Sequence, residues 1–194
     1  SEYTPLAFVR LMEILREAGV PNGVVNMVNG RGAVTGAALA SHPGIDLVSF
    51  TGGSVSGPLV NTAAARNLKR TTMELGGKSA NIILESADLD RALDGALAGI
   101  FMTNGQQCLA GSRIMVQSSI APAFIERFVE RTRAIRIGNP FDLWTDLGPM
   151  AYLAHMERVL AYAEVARGEG ATLLHGGQRA SQMPQGWYVE PTVV

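Results

Sequence analysis

The chain has 194 residues, of which 47% are hydrophobic and 17% are charged, and its formal net charge is −1. This composition suits one compact domain or two small ones and excludes a chain that is disordered throughout, because enough apolar surface is available to form a core. The basic residues form no block of the kind that grips a phosphate backbone, so we expect no nucleic-acid partner.

Two further features limit the class of protein. The most apolar stretch, residues 96–102, is far too short to cross a bilayer, so we expect no membrane partner. The chain has a single cysteine, which excludes an intramolecular disulfide framework and fits a reducing compartment. We therefore expect a cytoplasmic protein.

The first part of the chain alternates predicted helices with short apolar strands. Thr4 and Pro5 predict the start of a helix that stops at Gly19. The elements predicted after it are a buried strand at residues 24–28, a short helix at 33–40, a strand at 46–50, a helix to about Asn67 and a strand at 70–75. Because short loops join strands to helices in alternation, the predicted fold class is α/β, with a parallel sheet and crossover helices.

Gly76 and Gly77 mark the one domain boundary that the sequence predicts, since they lie between two strands. The elements predicted beyond it are a strand at residues 80–84, a helix capped by Asp88 that runs to about Thr103, a strand at 113–117, amphipathic helices at 120–136 and 150–167, and a strand at 171–174.

Two glycine-rich turns follow predicted strands. Residues 30–36 open a helix, where free backbone N–H groups and the helix dipole can face a phosphate. The third glycine comes one residue later than in the usual dinucleotide pattern, so an ordinary strand-to-helix turn explains this motif at least as well. Residues 51–54 repeat the arrangement at the next strand, at the edge where open α/β sheets bind ligands. A coenzyme site and ordinary turns both remain open here.

Glu74 and Cys108 are the residues best suited to chemistry. Glu74 ends a predicted strand beside two glycines, where a carboxylate can act as a base, or it is an exposed glutamate that pairs with Lys78. Cys108 lies in a glycine-flanked loop, where a backbone N–H can approach a reacting centre, or it is an inert buried thiol. The three histidines are scattered without metal-ligand spacing, so we expect no metal site.

In order along the chain, these segments resemble the aldehyde dehydrogenase superfamily. The glutamate segment at residues 74–79 and the cysteine segment at residues 105–108 match the two signatures of that family, in order and at a family-like separation. Further family-like segments are residues 1–5, 17–26, 48–52, 67–70, 148–149 and 186–192.

The resemblance implies an NAD-dependent enzyme that oxidises an aldehyde to a carboxylic acid. It implies that Cys108 is the nucleophile and that Glu74 activates the water that hydrolyses a thioester. It implies that Glu2 binds the adenosine ribose hydroxyls and thereby favours NAD over NADP. The other implied coenzyme-binding residues are Gly32, Gly52, Gly53 and Leu75. The family often has serine where Gly53 stands, so only a backbone contact to the coenzyme remains at this position.

The resemblance also implies a domain organisation. Residues 1–76 correspond to the C-terminal part of a Rossmann-like NAD-binding domain, and residues 77–194 correspond to the N-terminal part of the catalytic domain. Family members are more than twice as long, so we expect the chain to be the central part of a longer polypeptide that forms a homodimer or homotetramer. Two alternatives remain. One is a catalytically silent module with Cys108 buried or displaced. The other is a cysteine hydrolase or acyl transferase that works without nicotinamide and needs a histidine base near Cys108.

Overall fold

The computed structural model describes all residues from Ser1 to Val194. The chain divides into two compact units, Ser1–Gly76 and Gly77–Val194. Each unit contains one two-stranded parallel sheet whose strands are joined by a helix. The predicted α/β class with parallel strands and crossover helices is therefore confirmed, with a separate sheet in each unit.

In the first unit, a helix links the two strands of the sheet. Strand β1 (Leu47–Gly52) pairs in parallel with β2 (Arg70–Leu75), and helix α3 (Ser56–Ala65) makes the crossover between them. Ahead of the sheet come helix α1 (Leu6–Glu17), a single π-helical turn (Gly32–Gly36) and the short helix α2 (Ala37–Ser41). The register places Gly52 beside Leu75 and Thr51 beside Glu74, so the carboxyl ends of both strands lie at one edge.

The predicted strand at residues 24–28 is wrong. This segment forms turns and irregular backbone, and the side chains of Val24, Val25 and Val28 are exposed. The β-branched residues favour extended backbone, but a strand also needs a neighbour for its N–H and C=O groups, and only β1 and β2 pair in this unit. Local propensity alone therefore did not decide the structure of this segment.

The second unit repeats the strand–helix–strand arrangement and adds two long helices. Strand β3 (Ala80–Ile83) pairs in parallel with β4 (Arg113–Val116), and helix α4 (Leu89–Phe101) joins them. Helices α5 (Ala121–Arg133) and α6 (Leu153–Gly168) follow. Asp88 caps α4 as predicted, because its carboxylate accepts hydrogen bonds from the backbone N–H groups of Asp90 at 3.1 Å and Arg91 at 3.2 Å.

The core of the second unit lies between its sheet and the helices α4 and α5. Leu93 is fully buried and packs with Ile83, Phe124 and Phe128, and the rings of the two phenylalanines stack with their centroids 5.6 Å apart. At the solvent side of the same helix pair, Asp90 and Asp94 on α4 form ion pairs with Arg127 and Arg131 on α5. Apolar burial and charge thus fix α5 on α4, and α4 leads directly into the loop that carries Cys108.

The predicted strand at residues 171–174 is also wrong. Beside it the structure has only an isolated antiparallel bridge between His175 and Val193, with Leu174 N donating to Val193 O at 2.9 Å. One bridge extends too few residues to form a strand. None of the helices is both long and apolar enough to span a membrane.

Candidate functional site

The glycine turn of the first unit contacts Glu2. The backbone N–H of Gly32 donates a hydrogen bond of 2.8 Å to Glu2 Oε2, across thirty residues of sequence. The Glu2 carboxylate is exposed and lies beside Gly32, the first residue of the π-helical turn. This position is favourable for a negative charge, because the first N–H groups of a helix have no partner within the helix. Two residues that the sequence analysis connected only through the family resemblance therefore lie together in the structure.

A cavity of about 700 Å³ begins at this turn. Its size lies within the range of roughly 300–1,000 Å³ that is usual for sites of small molecules and cofactors. The lining is mostly apolar and comes from the π-helical turn, α2, β1 and α3; it includes Gly32, Ala33, Phe50, Ser56 and Leu59. The cavity therefore combines an apolar wall with a carboxylate at the adjacent glycine turn, an arrangement that suits a nucleoside.

Gly52, Gly53 and Leu75 lie at the carboxyl edge of this sheet. Gly52 ends β1, and the carbonyl of Gly53 accepts the N–H groups of Ser56 and Gly57 at 3.0 Å, which starts α3. The space around Gly53 is open, since a Cβ there would meet no heavy atom within 4 Å. Leu75 packs its side chain against Gly57, where a Cβ would lie 2.9 Å from Leu75 Cδ2. Leu75 therefore holds α3 against β2 with its side chain, and only its backbone is free for a coenzyme.

Glu74 is the second-last residue of β2 and its side chain is exposed. Within residues 1–76 its carboxylate has no hydrogen bond or ion pair. A carboxylate without a partner in its own unit keeps its acceptor sites free for water or substrate.

Cys108 lies in the loop between α4 and β4, and its thiol is exposed. Within these 194 residues Cys108 is therefore not a buried thiol. The backbone N–H of Cys108 makes no hydrogen bond within the chain, although neighbouring loop N–H groups do, such as that of Ala110 to Gln107 O at 3.2 Å. Gly77 lies close by, since a Cβ there would sit 3.7 Å from the Cys108 carbonyl oxygen. A free N–H beside an exposed thiol is the arrangement that can stabilise an oxyanion.

The loop that carries Cys108 is tied to a distant segment by two side-chain contacts that sequence reasoning missed. Asn104 Nδ2 donates to the carbonyl oxygens of Gly148 at 2.9 Å and Pro149 at 3.3 Å. His155 Nε2 lies 3.1 Å from Gln106 Oε1. These contacts span more than forty positions, so no local pattern could have indicated them.

The segment that receives these contacts is itself well fixed. The Arg136 guanidinium binds both carboxylate oxygens of Asp146 at 3.1 Å, and Arg136 N donates to the same carboxylate at 2.9 Å. The side-chain hydrogen bond from Arg136, aided by the backbone one, lowers the pKa of Asp146 below its ordinary value. Leu147 N donates to Arg136 O at 3.0 Å, which fixes the chain directly before Gly148.

The histidines do not form a metal centre or a cysteine–histidine pair. Residue His42 accepts a hydrogen bond from Gly44 N at 3.0 Å, His155 contacts Gln106, and His175 takes part in the bridge with Val193. No group of three or more His, Cys, Asp or Glu side chains is arranged to hold a metal ion. The hydrolase alternative, which needs a histidine base hydrogen-bonded to Cys108, gains no support from these contacts.

Comparison with known families decides the ancestry of the chain. The model described as "Aldehyde dehydrogenase family" matches residues 1–194. The chain belongs to the aldehyde dehydrogenase family. A chloroplastic aminoaldehyde dehydrogenase from Arabidopsis thaliana is 44% identical over 194 residues, which are all of this chain and 39% of that protein. An aldehyde dehydrogenase from Agaricus bisporus is 43% identical over the same length, which is 38% of that protein.

Solved structures of aldehyde dehydrogenases superpose closely on this one. The betaine aldehyde dehydrogenase from Staphylococcus aureus, solved in complex with NAD+, has a TM-score of 0.94 and 41% identity, covering 99% of this chain and 39% of that one. A structure of a variant of the same enzyme holds NAD+ and a BME-modified cysteine. The chain thus spans about two fifths of the length of the aldehyde dehydrogenases that it matches.

Proposed function

We propose that this chain is the coenzyme-binding and nucleophile-bearing part of an NAD-dependent, hydrolytic aldehyde dehydrogenase. In this proposal residues 1–76 belong to the NAD-binding domain and residues 77–194 to the catalytic domain. The observation that carries the proposal is the exposed Cys108 thiol beside its own unpaired backbone N–H, in a chain whose family is established. We assign the activity to the full-length polypeptide that contains these residues, because the relatives are longer.

Cys108 performs the first step. Its thiolate is the nucleophilic form, and it attacks the carbonyl carbon of the aldehyde to form a thiohemiacetal. The backbone N–H of Cys108 donates to the developing oxyanion, which is the charge that this step creates. Exposure of the thiol lets an aldehyde reach it without a rearrangement of the loop. Gln107 and Leu109 flank the nucleophile and are the residues of this loop best placed to touch the substrate.

NAD, when bound, supplies the acceptor for the hydride that leaves the thiohemiacetal carbon. The carbon then remains attached to Cys108 as a thioester. Glu74 takes a proton from water, and the resulting hydroxide attacks the thioester, releasing the carboxylic acid and the Cys108 thiolate. A carboxylate with free acceptor oxygens, as Glu74 has within its unit, can accept that proton.

The residues of the first unit fit the adenosine half of NAD. Glu2 would accept hydrogen bonds from the ribose hydroxyls, and the apolar cavity that starts at Gly32 would take the adenine ring. The open space at Gly53 leaves room for a phosphate near the backbone of Gly52 and Gly53, and Leu75 would offer its backbone. A carboxylate at this position repels a 2′-phosphate and so favours NAD over NADP.

Two properties of the full-length polypeptide stay predictions. We expect it to form a homodimer or homotetramer that acts on an aldehyde. From the sequence we expect a cytoplasmic location, although the Arabidopsis relative is chloroplastic.

The two assigned roles can be separated by single-turnover kinetics in the full-length polypeptide. Cys108→Ser replaces the thiol, whose thiolate is the nucleophile, with a hydroxyl that is a far weaker nucleophile, so we expect no NADH burst. Glu74→Gln keeps the volume and removes the base, so we expect a burst of NADH followed by a stall, with the acyl group bound to Cys108. Stopped-flow absorbance measures the burst, and intact mass detects the acyl-enzyme.

A control variant and three contrary results test the roles assigned to Glu74 and Cys108. Glu85→Gln, at a turn of the second unit, removes a carboxylate that accepts a hydrogen bond from Ser119 Oγ at 2.8 Å, and it should leave both phases unchanged. If Glu74 instead deprotonates Cys108, the burst itself slows in Glu74→Gln and alkaline pH restores it. Wild-type steady-state turnover by Glu74→Gln would remove that residue from the mechanism, and full NADH formation by Cys108→Ser would exclude a covalent intermediate on Cys108.

A further inference from the structure

The backbone that leads into Cys108 has a costly conformation. Thr103, Asn104 and Gly105 are consecutive residues with positive φ angles, at 52°, 57° and 69°. Glycine adopts such angles readily, asparagine tolerates them, and threonine rarely adopts them because its branched side chain crowds the backbone. A run of three left-handed residues does not persist by local preference, so contacts from elsewhere must hold it.

Asn104 supplies the first contact. Its side-chain amide, half-buried in the second unit, donates to the carbonyls of Gly148 and Pro149. Both acceptors belong to the segment that Arg136 and Asp146 fix just ahead of Gly148. The middle residue of the left-handed run is therefore bound to a fixed part of the chain.

His155 supplies the second contact, on the other side of Gly105. It lies on α6 and contacts the side chain of Gln106, two positions before Cys108. The amide oxygen of Gln106 is the atom in contact, so the imidazole donates through Nε2–H. The ring centroids of Tyr152 and His155 are 5.7 Å apart, so the Tyr152 ring limits the orientation of the imidazole.

We propose that Asn104 and His155 are positioning residues that set the location of the Cys108 thiol for attack on the aldehyde. The proposal rests on the proposed role of Cys108 as nucleophile. Neither side chain needs to touch the reacting atoms, since Asn104 lies in the left-handed run and His155 contacts the side chain of Gln106, both within four residues of Cys108. Loss of either contact lets the left-handed run relax, which moves the thiol and its adjacent N–H together.

The test uses four variants of the full-length polypeptide. Asn104→Asp keeps the shape but places a carboxylate against two carbonyl oxygens, and His155→Ala removes the donor to Gln106. His155→Gln retains an amide donor that can reach Gln106 and serves as the rescue. Gln117→Ala is the matched control, because it removes a side-chain amide that accepts from Glu85 N elsewhere in the same unit.

The measured quantities are the NADH burst rate at saturating coenzyme and aldehyde, the dissociation constant for NAD, and the thermal midpoint. Misplacement of a reacting group by about 1 Å can cost on the order of a hundredfold in rate, so we expect burst rates on the order of ten- to a hundredfold lower in Asn104→Asp and His155→Ala. We expect recovery in His155→Gln, a wild-type rate in Gln117→Ala, unchanged NAD binding throughout, and thermal midpoints that stay above the assay temperature in every variant.

Each other result has a definite meaning. Wild-type burst rates in Asn104→Asp and His155→Ala overturn the inference. Weaker NAD binding with an unchanged burst rate at saturation also overturns it, because His155 then acts on the coenzyme. If Asn104→Asp does not fold, the comparison of His155→Ala with His155→Gln decides alone. A Cys108→Ser enzyme measured alongside separates the two proposals. If Cys108→Ser still gives an NADH burst, the assignment of Cys108 as the nucleophile is refuted. If Cys108→Ser gives no burst but the Asn104 and His155 variants have wild-type burst rates, only the positioning role is refuted.

Discussion

Replacement of Glu2 by glutamine is expected to relax the choice of coenzyme in the full-length polypeptide. The Glu2 carboxylate is exposed and accepts the Gly32 N–H at 2.8 Å, and Gly32 lines the cavity that we assign to adenosine. Glutamine keeps the length of the side chain and an acceptor oxygen for Gly32. The substitution therefore removes the charge and little else.

The expected size of the effect follows from the exposure of Glu2. A phosphate monoester carries a charge of about −1.5 to −2 at pH 7. In a solvated site the dielectric constant of water applies, and two unit charges about 4 Å apart then interact by about 1 kcal/mol. Repulsion of a 2′-phosphate therefore costs about 1.5–2 kcal/mol, which corresponds to a change on the order of ten- to thirtyfold in relative kcat/KM.

The assay is the ratio of kcat/KM for NAD to that for NADP, measured with one aldehyde at fixed ionic strength. Glu13→Gln is the control, because Glu13 lies on α1 and pairs with Arg10 at 2.6 Å instead of contacting the glycine turn. An unchanged ratio in Glu2→Gln would remove Glu2 from the coenzyme site. An equal change in Glu13→Gln would show that the net charge of the unit, and not Glu2, selects the coenzyme.

Two further predictions concern stability and are checked by thermal and urea unfolding. Leu68 has a φ angle of 55° and is 94% exposed, so Leu68→Asn should stabilise the fold by about 1 kcal/mol, because asparagine tolerates this conformation; a destabilised variant would contradict this reason. Arg136 lowers the pKa of Asp146, so this contact stabilises the fold above the ordinary carboxyl pKa and is lost as the pH falls through the lowered one. Asp146→Asn should therefore lower the thermal midpoint at neutral pH and match the wild type in strong acid, whereas a difference independent of pH would contradict the assignment.

The parts of the fold that could be predicted from sequence are those in which local signals and pairing partners agree. Strand β2 and helix α4 were predicted well because each has a local signal: Gly76 and Gly77 follow β2 directly, and Asp88 caps α4. Residues 24–28 contain three β-branched valines but have no neighbouring strand, and the prediction of a strand there was wrong. Composition reports what a segment prefers, whereas hydrogen-bond partners decide whether a strand forms.

In the candidate site, too, local motifs indicate the residues, whereas distant contacts determine the backbone conformation. The signatures around Glu74 and Cys108 are short motifs, so the sequence could indicate both residues and the family to which they point. The conformation of the Cys108 loop depends instead on Gly148, Pro149 and His155, which lie more than forty positions away. The histidines are scattered without metal-ligand spacing, so no pattern in the sequence connected His155 with Cys108.

The short motif around Cys108 does not by itself determine where the thiol is held in this chain. If the Cys108 loop had an ordinary backbone conformation, residues 105–108 alone would be enough to fix the position of the thiol. The Cys108 loop contains a left-handed threonine and asparagine, which cost free energy wherever they occur. That cost has to be offset by contacts outside the motif, and Asn104 and His155 are the side chains that make them. The signature thus identifies the nucleophile, while the segment at residues 136–155 determines where the nucleophile is held.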